Sequence, residues 1–116
     1  MKVLICGDRH WTDRTKIVSW IAKLKDQGFD TVIEGEARGA DTMAREEALN
    51  AHIKVIAVPA DWKIYGRSAG PIRNKEMLCH YPDLVVAFHS DIEHSKGTKN
   101  MIEQAKKAEI EVILVE

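Results

Sequence analysis

The sequence predicts an α/β protein built on an open sheet of five parallel strands. Short apolar runs rich in valine and isoleucine recur along the chain, at residues 3–6, 31–33, 55–58, 84–88 and 112–115. Each run is continuous rather than alternating, which is typical of strands buried on both faces of a parallel sheet. Helical patterns separate the runs, and strands that alternate with helices indicate right-handed βαβ units.

The segments between the strands carry apolar residues at helical spacing, so each predicts a helix that packs one face on the sheet. Trp20 lies beside the first of these stripes and is expected in the core. The stripes are, in chain order, Ile17, Ile21 and Leu24; Ala40, Met43, Ala44 and Ala48; Met77 and Leu78; and Ile102, Ala105 and Ala108.

The expected strand order is 3-2-1-4-5, with 2-1-3-4-5 as the alternative. Neither a linker, an internal repeat nor a low-complexity segment interrupts the pattern. The 116 residues have the length of one domain, and residues 1–116 are therefore expected to form a single domain.

Charge and composition exclude several classes of function. Seventeen basic and eighteen acidic residues give a net charge of −1, so there is no bulk attraction to nucleic acid or to a membrane. Cys6 and Cys79 form no CxxC pair and the histidines show no HExxH spacing, so neither a metal nor a cofactor is expected. No apolar stretch is long enough for a signal peptide or a membrane span, which favours a reducing, cytoplasmic location.

The loops after the first four strands differ sharply from those at the opposite edge of the sheet. They read "GDRHWTD", "EGEARGAD", "PADWKIYGRSAGPIRN" and "HSDIEHSKGT", and they concentrate glycines, charges and aromatic residues. In open α/β sheets, ligands bind beyond the carboxyl ends of the strands. The sequence therefore predicts a binding site at this edge.

Cations near three predicted helix starts indicate an anionic ligand. Arg38 precedes the second helix, Arg73 and Lys75 follow Pro71 at the expected start of the third, and Lys96 lies beside the start of the fourth. A cation is unfavourable at the positive end of a helix, whereas a bound phosphate or carboxylate would pair with both. Surface ion pairs are the alternative. The segment "SKGTKN" lacks the full phosphate-loop pattern, which excludes an ATPase of that class.

Aromatic residues and histidines in the same loops are open to two interpretations. Trp11, Trp62 and Tyr65 either stack on a nucleobase or cover the core. His10, His89 and His94 either contact a ligand or lie on solvated surface.

The motifs "GDRHW", "EGEARGAD", "PADWKIYG", "AGPIRNKEM", "YPDLVVAF" and "KGT" together resemble the YspA-like branch of the SLOG superfamily. The resemblance spans nearly the whole chain in the same order. The superfamily also contains cytokinin-activating phosphoribohydrolases and the SLOG domain of the DNA-processing protein. The resemblance implies a three-layer, Rossmann-like fold, a nucleotide or nucleotide-derived ligand, an origin in bacteria or their phages, and self-association as a homodimer.

Carried over by position, the resemblance implies a set of ligand-binding residues, to which the loop analysis adds Gly7 and Arg38. Glu34 and Glu36 are the candidates for a catalytic base. The ligand-binding candidates are Gly7, Arg9, Gly35, Arg38, Gly39, Asp41, Trp62, Gly70, Arg73, Asn74, Gly97 and Thr98.

Three departures from the family pattern bear on function. Glu36 replaces the second glycine of the second motif. Of the usual GGxGT-type turn only Gly97 and Thr98 remain, and Met101 stands where the phosphoribohydrolases carry a catalytic glutamate.

The favoured function is a sensor or regulatory binder of a nucleotide-like small molecule, and whether the chain is an enzyme stays open. One alternative is hydrolysis of an N-glycosidic bond in a nucleotide-type substrate. The other is a protein-interaction module with a vestigial pocket. We expect Arg9, Arg38, Arg73 and Gly97 to border one cleft at the carboxyl edge of the sheet.

Overall fold

A computed structural model describes all residues, 1–116, and its centre is a five-stranded parallel sheet in the order β3-β2-β1-β4-β5. The predicted strand order and fold class are confirmed, and the alternative order is wrong. The strands are β1 (Lys2–Gly7), β2 (Thr31–Glu34), β3 (Lys54–Ala57), β4 (Leu84–Phe88) and β5 (Val112–Val115).

Both faces of the sheet are covered, which explains why the strands read as continuous apolar runs. In β1, Val3 and Ile5 belong to one core cluster, while Leu4 and Cys6 belong to the other. Successive side chains of a strand point to opposite faces, so consecutive residues in the middle of a central strand are apolar. The first cluster packs under α1 (Arg14–Asp26) and α2 (Ala40–Asn50).

The second core cluster packs under two helices of the opposite face, α4 (Ala69–Leu78) and α5 (Gly97–Lys107). A four-residue helix, α3 (Trp62–Tyr65), and a 3₁₀ turn over Gly66–Ser68 precede α4. None of these helices is long and apolar enough to cross a membrane.

The start of the third predicted helix differs from the sequence expectation. The α4 helix begins at Ala69, so Pro71 is its third residue rather than its first, and Ser68 already has helical backbone angles. Proline is accepted there because the N–H groups of a first helical turn have no intrahelical partner. Arg73 consequently lies in the second turn, where the positive end of the helix no longer explains its role.

The structure decides between the two interpretations of Trp11 and differs from the expectation for Trp20. Trp11 is buried, packs edge-on against Phe88 at 5.6 Å between ring centroids, and donates its indole N–H to the Asp13 carbonyl at 2.9 Å. It therefore covers the core and offers no face to a base. Trp20 is only partly buried, with the Lys23 ammonium 4.5 Å from its ring centroid.

Candidate functional site

Two adjoining cavities open at the carboxyl edge of the sheet. We call the first the polar cavity; its volume is about 290 Å³, and loops after β1 and β4 line it together with α4 and α5. Its lining residues are Cys6, Gly7, Asp8, Arg9, His10, Ala37, Asp41, Arg73, Asn74, Met77, His89, His94, Ser95, Lys96, Gly97, Thr98 and Met101.

The second cavity, which we call the tryptophan cavity, has a volume of about 560 Å³. It lies between the loop after β2 and the segment that leads into α3. Its lining residues are Arg9, Gly35, Glu36, Ala37, Arg38, Pro59, Ala60, Trp62 and Arg73. Arg9, Ala37 and Arg73 line both cavities and therefore form the boundary between them.

Most of the candidate ligand-binding residues border these cavities. Arg9 and Arg73 line both, Arg38 only the tryptophan cavity and Gly97 only the polar cavity, so the expected single cleft has two compartments. Contact with a ligand stays a prediction for all of them. The other candidates that line a cavity are Gly7, Gly35, Asp41, Trp62, Asn74 and Thr98.

Gly39 and Gly70 line neither cavity. Gly39 has φ of +76°, and a Cβ there would lie 2.5 Å from the Arg9 carbonyl oxygen. Its lack of a side chain lets the start of α2 approach the loop after β1, where the Ala40 N–H donates to the Asp8 carbonyl at 3.2 Å. A Cβ on Gly70 would meet the Trp62 ring at 3.5 Å, an ordinary contact. Gly39 therefore has a structural reason for being glycine.

The Arg73 guanidinium is fixed at the boundary of the two cavities. Its Nε–H donates to the Asn74 side-chain oxygen at 3.0 Å and Nη1 donates to the Gly35 carbonyl at 2.6 Å. Gly35 makes this approach possible, because a Cβ on it would lie 2.5 Å from Nη1. A guanidinium has five N–H donors, so three remain without a partner in the chain.

Three further cations line the cavities. Arg9 and Arg38 are exposed and form no hydrogen bond or ion pair within the chain, and the same is true of the Lys96 ammonium. Lys99 differs, because it pairs with Glu93 at 3.6 Å. The surface ion pair, which was the alternative to an anionic ligand, therefore describes Lys99 but neither Arg38 nor Arg73.

The candidate base Glu34 has no exposed surface and lines neither cavity. One carboxyl oxygen accepts the Glu36 N–H at 2.8 Å, and the other has no partner. Burial, with the neighbouring Glu36 carboxyl second, raises the pKa of Glu34 to about 8. The group is consequently protonated at neutral pH.

Glu36, the other candidate base, borders the tryptophan cavity with a left-handed backbone, φ +58°. That conformation favours glycine, which explains why the family usually has glycine there. The Glu36 carboxylate accepts two hydrogen bonds from Arg45 Nη1, at 2.8 and 3.0 Å. Its charge is therefore already balanced within the protein.

Asp41 is a buried acid in the first turn of α2. Burial raises its pKa to about 6, although the charge of Arg73 acts in the opposite direction. Its carboxylate accepts the Ala37 N–H at 3.2 Å, which shapes the loop between the cavities.

His89 is a site residue that the sequence left open between ligand contact and solvated surface. It is buried and lines the polar cavity. Its Nδ1 accepts the Asp91 N–H at 3.0 Å, so in the neutral ring Nε2 carries the proton. Nε2 lies 3.9 Å from the Asp8 carboxylate, beyond hydrogen-bond distance. His10 and His94 border the same cavity, and Asp91 raises the pKa of His94.

Two apolar residues that line the polar cavity, Cys6 and Met77, had no signal in the sequence as site residues. Cys6, Met77 and Met101 line it because they belong to the core cluster beneath it. Burial raises the pKa of the Cys6 thiol, so it is a packing group rather than a nucleophile. Met101 alone could have been predicted from the sequence as a site residue, because it lies three residues after Thr98, at the position of the catalytic glutamate in the phosphoribohydrolases.

The helix-flanked parallel sheet and its polar, cation-lined carboxyl edge define an α/β protein of the Rossmann-like class. The chain belongs to the YspA, cpYpsA-related SLOG family, YAcAr, whose sequence model matches residues 1–65. Membership of this family points to nucleotide-related binding or processing.

Two known proteins resemble the chain over nearly its full length. The "Gene 61 protein" of Mycobacterium phage D29 is 36% identical over 121 residues, which cover 97% of this chain and 94% of the phage protein. The X-ray structure of DNA processing protein A (DprA) from Streptococcus pneumoniae matches with a TM-score of 0.77 and 19% identity. That match covers 97% of this chain but 49% of DprA, so the chain spans about half of that protein and the likeness shows the fold alone.

Proposed function

We propose that the chain binds a nucleotide-type ligand as a sensor or regulatory protein, and that Arg73 and Arg9 hold the ligand's phosphate. The observation that carries this proposal is the Arg73 guanidinium. Hydrogen bonds to Gly35 and Asn74 fix its orientation, while three N–H donors stay available at the boundary of the two cavities. A fixed fork of donors suits a phosphate, which accepts two parallel hydrogen bonds from one arginine.

Local charge supports an anionic ligand although the whole chain has a net charge of −1. Four cations line the cavities, namely Arg9, Arg38, Arg73 and Lys96, against the acids Asp8, Glu36 and Asp41. Arg45 balances the charge of Glu36, and the pKa of Asp41 is raised to about 6. The cavities therefore have an excess of positive charge that a phosphate would balance.

The N-glycosidic hydrolase has less support, because neither of the two candidate glutamates is available as a base. Glu34 is protonated at neutral pH and without exposed surface, and Glu36 is paired with Arg45. Met101 lines the polar cavity with a thioether, which accepts no proton in this pH range. A general base must be deprotonated and within reach of the substrate. The protein-interaction module with a vestigial pocket also has less support, because the unpaired cations that line the cavities would repel one another if no anion were bound there.

The test compares two arginines whose removal should leave the fold intact. Arg9 and Arg67 are both exposed, but only Arg9 lines the cavities. With AMP and ADP as probes in isothermal titration calorimetry, Arg9→Ala should weaken binding by about 1.5–3 kcal/mol, the contribution of a charge-assisted hydrogen bond. Arg67→Ala makes the same change of net charge and should leave the affinity unchanged.

Two outcomes would contradict the proposal. In one, neither AMP nor ADP binds the wild-type chain at millimolar concentration. In the other, both nucleotides bind but Arg9→Ala and Arg67→Ala have equal effects, which would place the phosphate elsewhere. Urea unfolding of both variants checks that the free energy of unfolding has not changed.

A further inference from the structure

We propose that the ligand has two ends: a nucleoside diphosphate that carries a polyhydroxyl group, such as a sugar, on its second phosphate. The nucleobase would lie in the tryptophan cavity, the diphosphate across Arg73 and Arg9, and the sugar in the polar cavity. This inference rests on the proposed function and assigns the class of ligand.

The first argument is the arrangement of the two cavities. They have volumes of about 560 and 290 Å³ and meet at a boundary formed by Arg9, Ala37 and Arg73. The tryptophan cavity alone has the volume of an ordinary small-molecule site. A mononucleotide bound there with its phosphate at the arginines would leave the polar cavity to solvent. A ligand that fills both must have its negative charge in the middle, as a diphosphate with two substituents does.

The second argument concerns the tryptophan end. Trp62 is 55% exposed and forms a wall of the cavity with Pro59 and Ala60. An indole that is exposed in a concave wall offers a flat apolar face, which stacks well on a nucleobase. Arg38 and Glu36 at the same cavity supply polar groups for the edge of the base.

The third argument concerns the polar end, where uncharged hydrogen-bonding groups lack partners. The Thr98 hydroxyl is in a buried residue and makes no hydrogen bond within the chain, although it borders the cavity. The His89 Nε2–H has no acceptor within hydrogen-bond distance, because the Asp8 carboxylate lies 3.9 Å away. A hydroxyl can donate to Asp8 and accept from His89. Sugar hydroxyls satisfy these groups, and a second nucleobase would not use them all.

The experiment measures dissociation constants for AMP, ADP, ADP-glucose and UDP-glucose with the wild-type chain. ADP-glucose should bind at least about tenfold more tightly than ADP, since it adds hydrogen bonds to buried polar groups. Trp62→Ala should raise the dissociation constant of each of these ligands by about tenfold, the effect of losing one base–aromatic stack.

Thr98→Val tests the polar end. The change is nearly isosteric and breaks no hydrogen bond within the protein, because the hydroxyl has none. Thr98→Val should weaken the binding of ADP-glucose several-fold more than it weakens the binding of ADP. His89→Gln is a second variant for the same comparison, and urea unfolding shows whether each variant folds.

The outcomes separate this inference from the proposed function. If ADP binds in an Arg9-dependent way but ADP-glucose and UDP-glucose bind no more tightly, the proposed function stands and the two-ended ligand is wrong. An advantage of ADP-glucose that survives both Thr98→Val and His89→Gln would also overturn it. Tighter binding of a short oligothymidylate than of ADP-glucose would instead assign the cavities to a single-stranded nucleic acid. If no nucleotide binds at all, the proposed function itself is wrong.

Discussion

Glu34 is a buried carboxyl group whose protonation couples the loop after β2 to pH. Its ordinary pKa is 4.5, and burial raises the pKa in the folded chain to about 8. Between these values the folded state binds the proton and the unfolded state does not. Stability from this group is therefore fully present below pH 4.5 and is lost as the pH rises through about 8. The stability that Asp41 contributes also falls as the pH rises. Its pKa in the folded chain is about 6, so this loss occurs at lower pH than the loss from Glu34.

We expect the wild-type chain to lose stability between about pH 6.5, which lies above the window of Asp41, and about pH 8, with a slope of at most about 1.4 kcal/mol per pH unit, and to lose little more at higher pH. In Glu34→Gln the side chain cannot ionise, and most of this slope should disappear. Urea unfolding over this range measures it. His94 also has a raised pKa and loses its charge as the pH rises. Its effect on the free energy of unfolding is the same in the wild-type chain and in Glu34→Gln, so it cancels in the comparison. An equal slope in the two proteins would show that Glu34 does not ionise differently on folding.

Gly35 and Gly39 show how far the sequence could predict individual site residues. Both follow β2 in one motif, and the sequence assigned both to ligand binding. Gly35 lines the tryptophan cavity and makes room for Arg73, whereas Gly39 makes room for the backbone of Asp8 and Arg9. Each neighbour lies about 30 residues or more away along the chain. Local pattern predicts that a glycine is required, but not which distant group requires it.

Elements of the fold were predictable where burial is strong and periodic. The apolar runs of the central strands β1, β2 and β4 and the stripe of α1 are buried, whereas the runs of the edge strands β3 and β5 are only partly covered. The α3 helix was missed because none of its residues is buried, so it has no apolar stripe to detect. The only local signal was Asp61, which caps α3 by accepting the Ile64 N–H at 3.2 Å.

The position of Arg73 within α4 reverses an expectation from the sequence. At a helix start, the removal of a cation should leave stability unchanged or raise it. In the second turn, Arg73 instead bonds the Gly35 carbonyl and lowers the pKa of buried Asp41. We therefore expect Arg73→Ala to lower the free energy of unfolding by about 1–3 kcal/mol, the range for leaving a buried polar group without its partner.

The double variant Arg73→Ala/Asp41→Asn separates the two causes of that loss. If part of it comes from the unbalanced charge of Asp41, the double variant should be more stable than Arg73→Ala alone. The removal of Arg73 raises the pKa of Asp41 further, so the difference should grow as the pH rises and Asp41 ionises; urea unfolding at several values between pH 7 and pH 9 measures it. If the free energy of unfolding of Arg73→Ala equals or exceeds the wild-type value, Arg73 behaves as an unfavourable cation near a helix start, and the stabilising role of its contacts is wrong.

At the scale of the whole molecule, charge and apolar surface are unevenly distributed. The net charge is −1, yet the cavities collect four cations at one edge of the sheet. Next to this edge, α3 exposes Ile64 and Tyr65 by 72% and 46%. Neither residue lines a cavity that the other arguments use. Adjacent exposed apolar side chains on one short helix are typical of a contact surface.

The homodimer expected from the family resemblance stays a prediction, and α3 is where we expect the contact. Light scattering at high micromolar concentration should return twice the 13.1 kDa mass of one chain. Ile64→Lys should return the chain to a monomer, because a charge in an apolar contact must be desolvated. Val18→Lys is the matched control, since Val18 is also an exposed aliphatic residue but lies on α1. A wild-type mass of one chain would contradict the dimer, and dissociation by Val18→Lys rather than Ile64→Lys would move the contact from α3 to α1.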